Sequence, residues 1–187
     1  MNSLPLQHAL AHLVGKSGGD ELLDVACGTG EHIKYLQDRF HITGTDLNPA
    51  MLAVARQKFP STSFVEADMV TMNLSHQFDV VLCLFSSIGY VKSYVNLKRT
   101  LSAFYAHLKP GGVTIIEPFI EPDKYQVGMP HALTVEKPDL KISRMNVSER
   151  DGDMAIPDFY FQIATPQGVQ QFRDRHELGL FDVERFK

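Results

Sequence analysis

Two acidic residues and a pair of glycines in the first quarter of the chain have the spacing of a ligand-binding site. Asp24 begins the run Asp-Val-Ala-Cys-Gly-Thr-Gly that ends at Gly30, and Asp46 follows Gly28 by 18 residues. Glycines let a ligand approach the backbone because they carry no side chain. A carboxylate at the end of the next strand, where Asp46 is expected, can accept both hydroxyl hydrogens of a ribose. The pattern therefore predicts a nucleoside site.

Each part of this pattern also has a simpler interpretation. The glycines could form only a tight turn, and Asp46 could face solvent or cap the next helix. Asn48 is the better cap because Pro49 after it favours the first helical position, and this leaves Asp46 for a ligand. A dinucleotide is the rival ligand, but its fingerprint needs a third glycine where this chain has Ile33. A phosphate-free nucleoside fits better.

Short strands alternate with helices over the first two thirds of the chain. The predicted strands are residues 22–26, 41–45, 63–66, 78–84 and 113–117, and the predicted helices are residues 31–40, 49–59 and 94–107. The N–H groups at the start of the first helix are expected to hold an anion. Such alternation predicts an α/β fold with a Rossmann-like, doubly wound, mostly parallel sheet, which binds ligands beyond the carboxyl ends of its strands.

A different pattern follows residue 119. Residues 141–149, 154–163 and 169–181 are predicted to form three longer strands joined by turn-rich segments. In the second of them, Phe159, Phe161 and Ile163 alternate with Tyr160 and Gln162. We interpret residues 120–181 as an antiparallel β insertion over the substrate end of the sheet. It would belong to a single domain, residues 1–187, whose ligand-binding core is residues 1–119.

Five segments in order along the chain resemble the motifs of class I S-adenosylmethionine-dependent methyltransferases. They are Asp24-Val-Ala-Cys-Gly-Thr-Gly30, Gly44-Thr-Asp46-Leu-Asn, Ala67-Asp68-Met69, Phe78-Asp79-Val-Val and Leu108-Lys-Pro-Gly-Gly112. The resemblance covers roughly residues 20–119 and implies S-adenosyl-L-methionine as the cofactor.

The same resemblance implies roles for individual residues. Asp46 would bind the ribose, Asp68 would meet the adenine amino group, and Leu47 and Met69 would flank the adenine ring. Without the other motifs, Asp68 would be interpreted as a surface turn residue. The full set expected at the cofactor is Asp24, Ala26, Cys27, Gly28, Gly30, Asp46, Leu47, Met51, Asp68, Met69 and Leu84.

A narrower resemblance concerns the methyl acceptor. Leu84-Phe-Ser-Ser-Ile-Gly-Tyr90, Val113-Thr-Ile-Ile-Glu-Pro118 and the segment 141–181 resemble N-methyltransferases that act on nucleotide-linked amino sugars. This implies methyl transfer to a small-molecule amine such as an amino sugar. One alternative is a methyltransferase for a phenol, a carboxylate or an amino acid, because one scaffold serves many acceptors. Another is a truncated, non-catalytic core that only binds the cofactor.

Four residues are candidates for the transfer itself. Glu117 and Tyr90 would orient the amine, and His131 and His176 would accept its proton if the insertion folds over the pocket. Glu117 could instead only end a strand, Tyr90 could be a packing aromatic, and the histidines could have ordinary structural roles. Two cysteines, Cys27 and Cys83, are expected on adjacent strands as packing residues.

Composition argues against several other classes of function. The net charge is −4 and the pI about 6.0, with no concentration of Lys and Arg, so no nucleic-acid partner is expected. No apolar run approaches the roughly 20 residues that span a bilayer, and no secretion signal precedes the first strand. With two cysteines outside any metal spacing, we predict no metal and a cytoplasmic protein.

Both ends of the chain depart from the family pattern. Only about 20 residues precede the first strand, and they include no Tyr or Arg. The helix and two strands that normally follow the insertion are expected to be absent after residue 181. Since an uncovered sheet edge favours association, we expect a homodimer.

Overall fold

The computed structural model describes residues 19–186 and divides into two compact units between Pro118 and Phe119. The predicted single-domain organisation is not decided by this division and stays a prediction. The segment expected to lack aromatic and basic contacts lies outside the described residues. Among the helices that are described, none has the length and apolar character needed to span a membrane.

The first unit is built on a parallel five-stranded sheet. Its strands are β1 (Glu21–Val25), β2 (His41–Asp46), β3 (Ser63–Glu66), β4 (Phe78–Cys83) and β5 (Leu108–Ile116). They lie in the order β3-β2-β1-β4-β5, so the strand order reverses between β1 and β4. This confirms the predicted Rossmann-like fold and places the carboxyl ends of all five strands at one edge.

Three helices connect these strands: α1 (Ile33–Leu36), α2 (Pro49–Lys58) and α3 (Tyr94–Ala106). The cap predicted for α2 is confirmed, and α3 is capped in the same way. Asn48 Oδ1 accepts hydrogen bonds from the backbone N–H groups of Ala50 and Met51 at 2.9 and 3.4 Å. Ser93 Oγ accepts one from Asn96 N at 3.3 Å.

The predicted helix over residues 31–40 is wrong in length. α1 has only four residues, and its N-cap residue, His32, makes no side-chain cap bond. Residues 31–32 before α1 and 37–39 after it form turns rather than further helix. The apolar face was nevertheless predicted correctly, since Ile33, Leu36 and Phe40 are all buried in the core of this unit.

β5 begins earlier than its sequence predicted. Leu108 already pairs with Phe78, and a register irregularity separates this pair from that of Val80 with Val113. The Lys-Pro-Gly-Gly segment, which lies between the predicted helix and the predicted strand, therefore forms an irregular start of the strand. Lys109 within it pairs with Asp79 of β4 at 2.8 Å.

The second unit contains an antiparallel sheet with one more long strand than predicted. Its strands are β6 (Pro130–Lys137), β7 (Leu140–Asp151), β8 (Met154–Thr165), β9 (Gly168–Arg175) and β10 (Leu178–Gly179). β6 was missed because its apolar alternation is limited to Leu133 and Val135, and all of its residues are exposed. The predicted strand over residues 169–181 is interrupted after Arg175, and β9 and β10 both pair with β8.

Candidate active site

Asp46 connects the turns that follow three neighbouring strands. Its Oδ2 accepts a hydrogen bond from Gly28 N, after β1, at 2.8 Å, and its Oδ1 accepts one from Asn48 N at 2.8 Å. Its carbonyl oxygen accepts from Ala67 N, after β3, at 3.1 Å. The predicted cofactor turns are therefore brought together, with Asp46 at their centre.

This arrangement corrects one expectation about Asp46. The sequence predicted that capping by Asn48 would leave Asp46 free for a ligand, but both of its carboxylate oxygens already accept backbone hydrogen bonds. Each carboxylate oxygen can accept a second bond. The carboxylate is thus held in a fixed orientation and keeps capacity for ligand hydroxyl groups.

The turn after β1 has an unusual backbone conformation. Ala26, Gly28 and Gly30 have φ values of +55°, +56° and +79°. A Cβ on Gly28 would meet no atom within 4 Å, whereas one on Gly30 would lie 2.9 Å from the Phe59 ring. Gly28 therefore leaves open space at the predicted ligand position, and Gly30 is required by close packing.

The anion site predicted at the helix start stays a prediction, and some of its N–H groups already have partners within the protein. α1 is too short for a substantial helix dipole, and three backbone N–H groups of the turn have internal partners. Gly28 N donates to Asp46, Gly30 N to the Cys27 carbonyl, and Ile33 N to the Gly30 carbonyl. Ile33 occupies the position of the third dinucleotide glycine and is completely buried, which agrees with the predicted lack of room for a pyrophosphate.

Asp24 is a buried carboxylate beside this turn. It is 1% exposed, and its Oδ2 has no hydrogen-bond partner among residues 19–186. Burial, with a further contribution from the negative charge of Asp46, raises the pKa of Asp24 from 3.8 to about 7. Two acids that repel each other beside open space favour a positively charged ligand, which would relieve the repulsion.

The remaining residues predicted to contact the cofactor follow β2, β3 and β4, with Met51 in the first turn of α2. Leu47 and Met51 are exposed, at 66% and 43%, while Leu84 is buried. Asp68 Oδ1 accepts a hydrogen bond from Val70 N at 2.8 Å. One carboxylate oxygen of Asp68 therefore stabilises the local turn, as its interpretation as a turn residue expects. Met69 beside it is half-buried.

Glu117 holds the loop that follows β4. Its Oε2 accepts a hydrogen bond from Phe85 N at 2.8 Å, and its own N–H donates to the Cys83 carbonyl at 2.9 Å. Phe85 and Ser86 have φ values of +54° and +63°, a conformation that costs about 1–3 kcal/mol for a residue other than glycine. Strained backbone thus follows both central strands, β1 and β4, at the same sheet edge.

Two further side chains belong to this edge. Tyr90, predicted to orient the amine, lies in a 3-10 helix, Ser87–Val91, and is 49% exposed. His32 was not predicted as a site residue. Burial lowers its pKa, and the nearby negative charge of Glu117 acts in the opposite direction. Its only sequence signal was its position two residues after Gly30.

The two predicted proton acceptors lie in the second unit and are not neighbours there. His131 is on the exposed edge strand β6, whereas His176 follows β9 on the other side of β7 and β8. His176 Nε2 lies 2.9 Å from Asp174 Oδ2, and its ring packs edge-on against Phe159 at 5.4 Å. Their catalytic roles stay predictions.

Both cysteines have the environment expected of packing residues. Cys27 follows β1 and Cys83 ends β4, the adjacent strand, and both are buried and free. Burial, followed by the negative charge of Asp24, raises the pKa of each thiol to about 12. They are therefore poor nucleophiles, since the thiolate is the reactive form.

Comparison with known proteins identifies the family. A model of a methyltransferase domain matches residues 22–112. Over 168 residues the chain is 35% identical to dTDP-3-amino-3,6-dideoxy-alpha-D-glucopyranose N,N-dimethyltransferase of Streptomyces fradiae, covering 89% of this chain and 66% of that protein. It is 36% identical to dTDP-3-amino-3,4,6-trideoxy-alpha-D-glucopyranose N,N-dimethyltransferase of Streptomyces venezuelae over 168 residues, covering 89% of this chain and 71% of that protein.

The chain belongs to the class I S-adenosylmethionine-dependent methyltransferases. Among solved structures, an amino pentose methyltransferase of Micromonospora echinaspora with S-adenosylmethionine bound has a TM-score of 0.88 and 29% identity. That match covers 98% of this chain and 78% of the other. S-adenosyl-L-methionine is accordingly the cofactor of this methyltransferase. The Asp24 oxygen that has no partner within residues 19–186 and the open space at Gly28 fit a cationic sulfonium nucleoside.

Proposed function

We propose that this methyltransferase transfers a methyl group from S-adenosyl-L-methionine to the amino nitrogen of a nucleotide-linked amino sugar. The observation that carries the proposal is the extent of the similarity. The general methyltransferase model ends at residue 112, before the second unit. The match to the two sugar N,N-dimethyltransferases spans 89% of the chain and must therefore continue well into the antiparallel sheet.

The first unit would bind the cofactor through its two acidic residues. Asp46, oriented by Gly28 N and Asn48 N, would accept the ribose hydroxyl hydrogens. The buried Asp24 would balance the positive charge of the ligand, because a nearby cation favours its ionised form. Leu47, Met51 and Met69 would contact the adenine, with Asp68 accepting from its amino group.

The transfer asks for positioning more than for acid–base chemistry. When bound, the cofactor supplies an electrophilic methyl group on a cationic sulfur. The lone pair of a neutral amine forms the new C–N bond while the C–S bond breaks toward sulfur, and the product ammonium then loses a proton. Holding the reactants in line can lower the activation free energy by several kcal/mol. Glu117 would act here by fixing the backbone of Phe85 and so the wall of the site.

A matched pair of acceptors tests the proposal. The protein is incubated with methyl-labelled S-adenosylmethionine and either dTDP-3-amino-3,6-dideoxyglucose or the corresponding sugar with a hydroxyl at carbon 3. We expect label on nitrogen in the first case and no transfer in the second, as determined by mass spectrometry of the product. Label on the hydroxyl sugar, or on a phenol but no amino sugar, would contradict the proposal.

The protein without a functional cofactor site is the control for that assay. Asp46→Ala should lower transfer to every acceptor by the same factor at limiting cofactor, because cofactor binding precedes any choice of acceptor. Tight binding of S-adenosylmethionine without transfer to any of the amines offered would favour the alternative of a non-catalytic core.

A further inference from the structure

One face of the antiparallel sheet carries an arginine among apolar side chains. Paired residues of adjacent strands share a face, and in the observed register Arg144 pairs with Leu133 and Phe161. We call this side of the sheet the arginine face. Its members on the four long strands are Leu133, Arg144, Phe161, Phe172, Val135, Ile142, Ile163, Gln170, His131, Asn146, Phe159 and Asp174.

Arg144 differs from the other arginines of β7 and β9 in its partners. Arg150 donates to the Pro122 carbonyl at 2.6 Å, and Arg173 and Arg175 both contact Asp158, at 2.9 and 3.4 Å. The half-buried Arg144 stacks on the Phe159 ring, with 4.7 Å between its guanidinium carbon and the ring centroid. Its buried Nε has no hydrogen-bond partner among residues 19–186.

A guanidinium in this position favours an anionic ligand. Partial removal from water is costly for a charge unless hydrogen bonds replace the lost hydration. Among the described residues, Asp174 is the acidic member of the arginine face, and it contacts His176 at 2.9 Å. Arginine binds phosphate groups in a bidentate manner while stacking on an aromatic ring. The charge of Arg144 is thus available to a ligand rather than matched by a carboxylate.

We propose that Arg144 binds the diphosphate of the nucleotide-linked acceptor, an inference that rests on the proposed function. The neighbouring Phe161, Leu133 and Phe172 offer apolar surface, and the latter two are each 51% exposed. A deoxy sugar or a pyrimidine base has apolar faces that can cover such side chains. Arg144 is thereby a residue that selects nucleotide-linked over free amino sugars and takes no part in the transfer step.

Steady-state kinetics with two acceptors test this role. The acceptors are a dTDP-linked amino sugar and the same amino sugar without its nucleotide. For Arg144→Gln we expect the KM for the linked acceptor to rise about tenfold or more, as for loss of a charged hydrogen bond. The kcat and the KM for the free sugar should change little. Arg144→Lys keeps the positive charge but lacks the planar guanidinium that donates two hydrogen bonds to a phosphate, so it should give an intermediate KM.

Arg173→Gln is the matched control, because Arg173 lies on the opposite face of the same sheet, in register with Tyr160. Arg175 remains as a partner for Asp158 in that variant, and we expect an unchanged KM. If Arg144→Gln does not fold, Arg144→Lys carries the test. An unchanged KM in the folded Arg144 variants, or an equal loss for free and linked sugars, would overturn the inference.

Binding of thymidine 5′-diphosphate, measured by calorimetry, separates this inference from the proposed function. Binding that is weakened by Arg144→Gln supports the phosphate site even if no amino sugar is methylated. No binding to the wild-type protein overturns the site even if amino sugars are methylated. A change of oligomeric state in Arg144→Gln with unchanged diphosphate affinity would assign the arginine face to a second copy of the chain and also overturn it.

Discussion

The two units of this methyltransferase place their functional side chains by different means. In the first, short parallel strands end in turns, and three of these turns are joined by hydrogen bonds to Asp46. In the second, eleven residue pairs join β7 to β8, and side chains far apart in sequence share a face through this register. Local turns thus build the cofactor side, whereas long-range pairing builds the candidate acceptor side.

The units also differ in how they treat charge and strain. The first contains the buried Asp24, with its raised pKa, and the strained residues Ala26 and Phe85. In the second unit, Arg173 and Arg175 both contact Asp158, whereas the buried Nε of Arg144 has no hydrogen-bond partner among the described residues. Uncompensated features of this kind cost stability and cluster at functional sites. Their positions indicate where each unit is built for a ligand.

Replacing Asp46 should break the first unit's site without affecting the second. Asp46→Ala removes the acceptor for Gly28 N and Asn48 N together with the ribose contact. We expect S-adenosylmethionine to bind more weakly by about 1.5–3 kcal/mol, with thymidine diphosphate affinity unchanged. Calorimetry measures both. Asp46→Asn keeps one acceptor oxygen and should lose less affinity for the cofactor than Asp46→Ala. Unchanged cofactor affinity in Asp46→Ala would show that the ribose binds elsewhere.

A pair of glycine substitutions compares backbone requirements in the two units. Gly30 and Gly128 have φ values of +79° and +74°, but a Cβ on Gly30 would lie 2.9 Å from Phe59 and one on Gly128 would meet nothing within 4 Å. Both alanine variants carry the conformational cost of about 1 kcal/mol. We expect the free energy of unfolding to fall by about 1–3 kcal/mol more in Gly30→Ala than in Gly128→Ala, because the added Cβ overpacks against Phe59. Equal losses in urea unfolding would show that Phe59 moves aside.

Asp24 should give the protein without cofactor an unusual dependence on pH. Its pKa is 3.8 in the unfolded reference and about 7 when folded, so the folded state binds the proton more tightly. The free energy of unfolding therefore contains a part that falls as pH rises from about 4 to about 7, by at most about 1.4 kcal/mol per pH unit. In urea unfolding, the free energy of unfolding of Asp24→Asn should not contain this pH-dependent part. The prediction is wrong if the free energy of unfolding falls with pH equally steeply in Asp24→Asn and in the wild-type protein.

The smallest expected effect is that of Glu117 substitutions on the rate of methyl transfer. Its observed contact is with the backbone of Phe85, so Glu117→Gln, which keeps an acceptor oxygen, should retain most of the activity. Glu117→Ala should lower kcat by about tenfold, the cost of one hydrogen bond. Single-turnover methyl transfer measures both variants. If Gln loses as much as Ala, the negative charge itself contacts the amine, as the sequence predicted.

The sequence predicted the first unit more accurately than the second for a physical reason. Asp24, Gly28 and Asp46 act through turns whose geometry follows from neighbouring residues, and the structure brings them together as expected. The length of α1 was mispredicted because apolar spacing shows which face is buried but not at which residues a helix begins and ends.

In the second unit the missing information was register. β6 has only Leu133 and Val135 as an apolar alternation, which is too short a signal to mark a strand, and its pairing with β7 cannot be inferred from its own residues. The position of Arg144 opposite Phe161, and its stacking on Phe159, follow only from that pairing. For the same reason, His131 and His176 could be proposed from residue type but not located.

The central claim is that the coupled carboxylates of Asp24 and Asp46 bind a cationic nucleoside. Calorimetric titration with S-adenosylmethionine from about pH 6 to about pH 8 tests it most directly, since this range spans the raised pKa of Asp24. Because the ligand favours ionised Asp24, the affinity of the wild-type protein should increase with pH and then level off. Asp24→Asn should bind more weakly and without this increase. Equal affinity of the two proteins across the range would contradict the account.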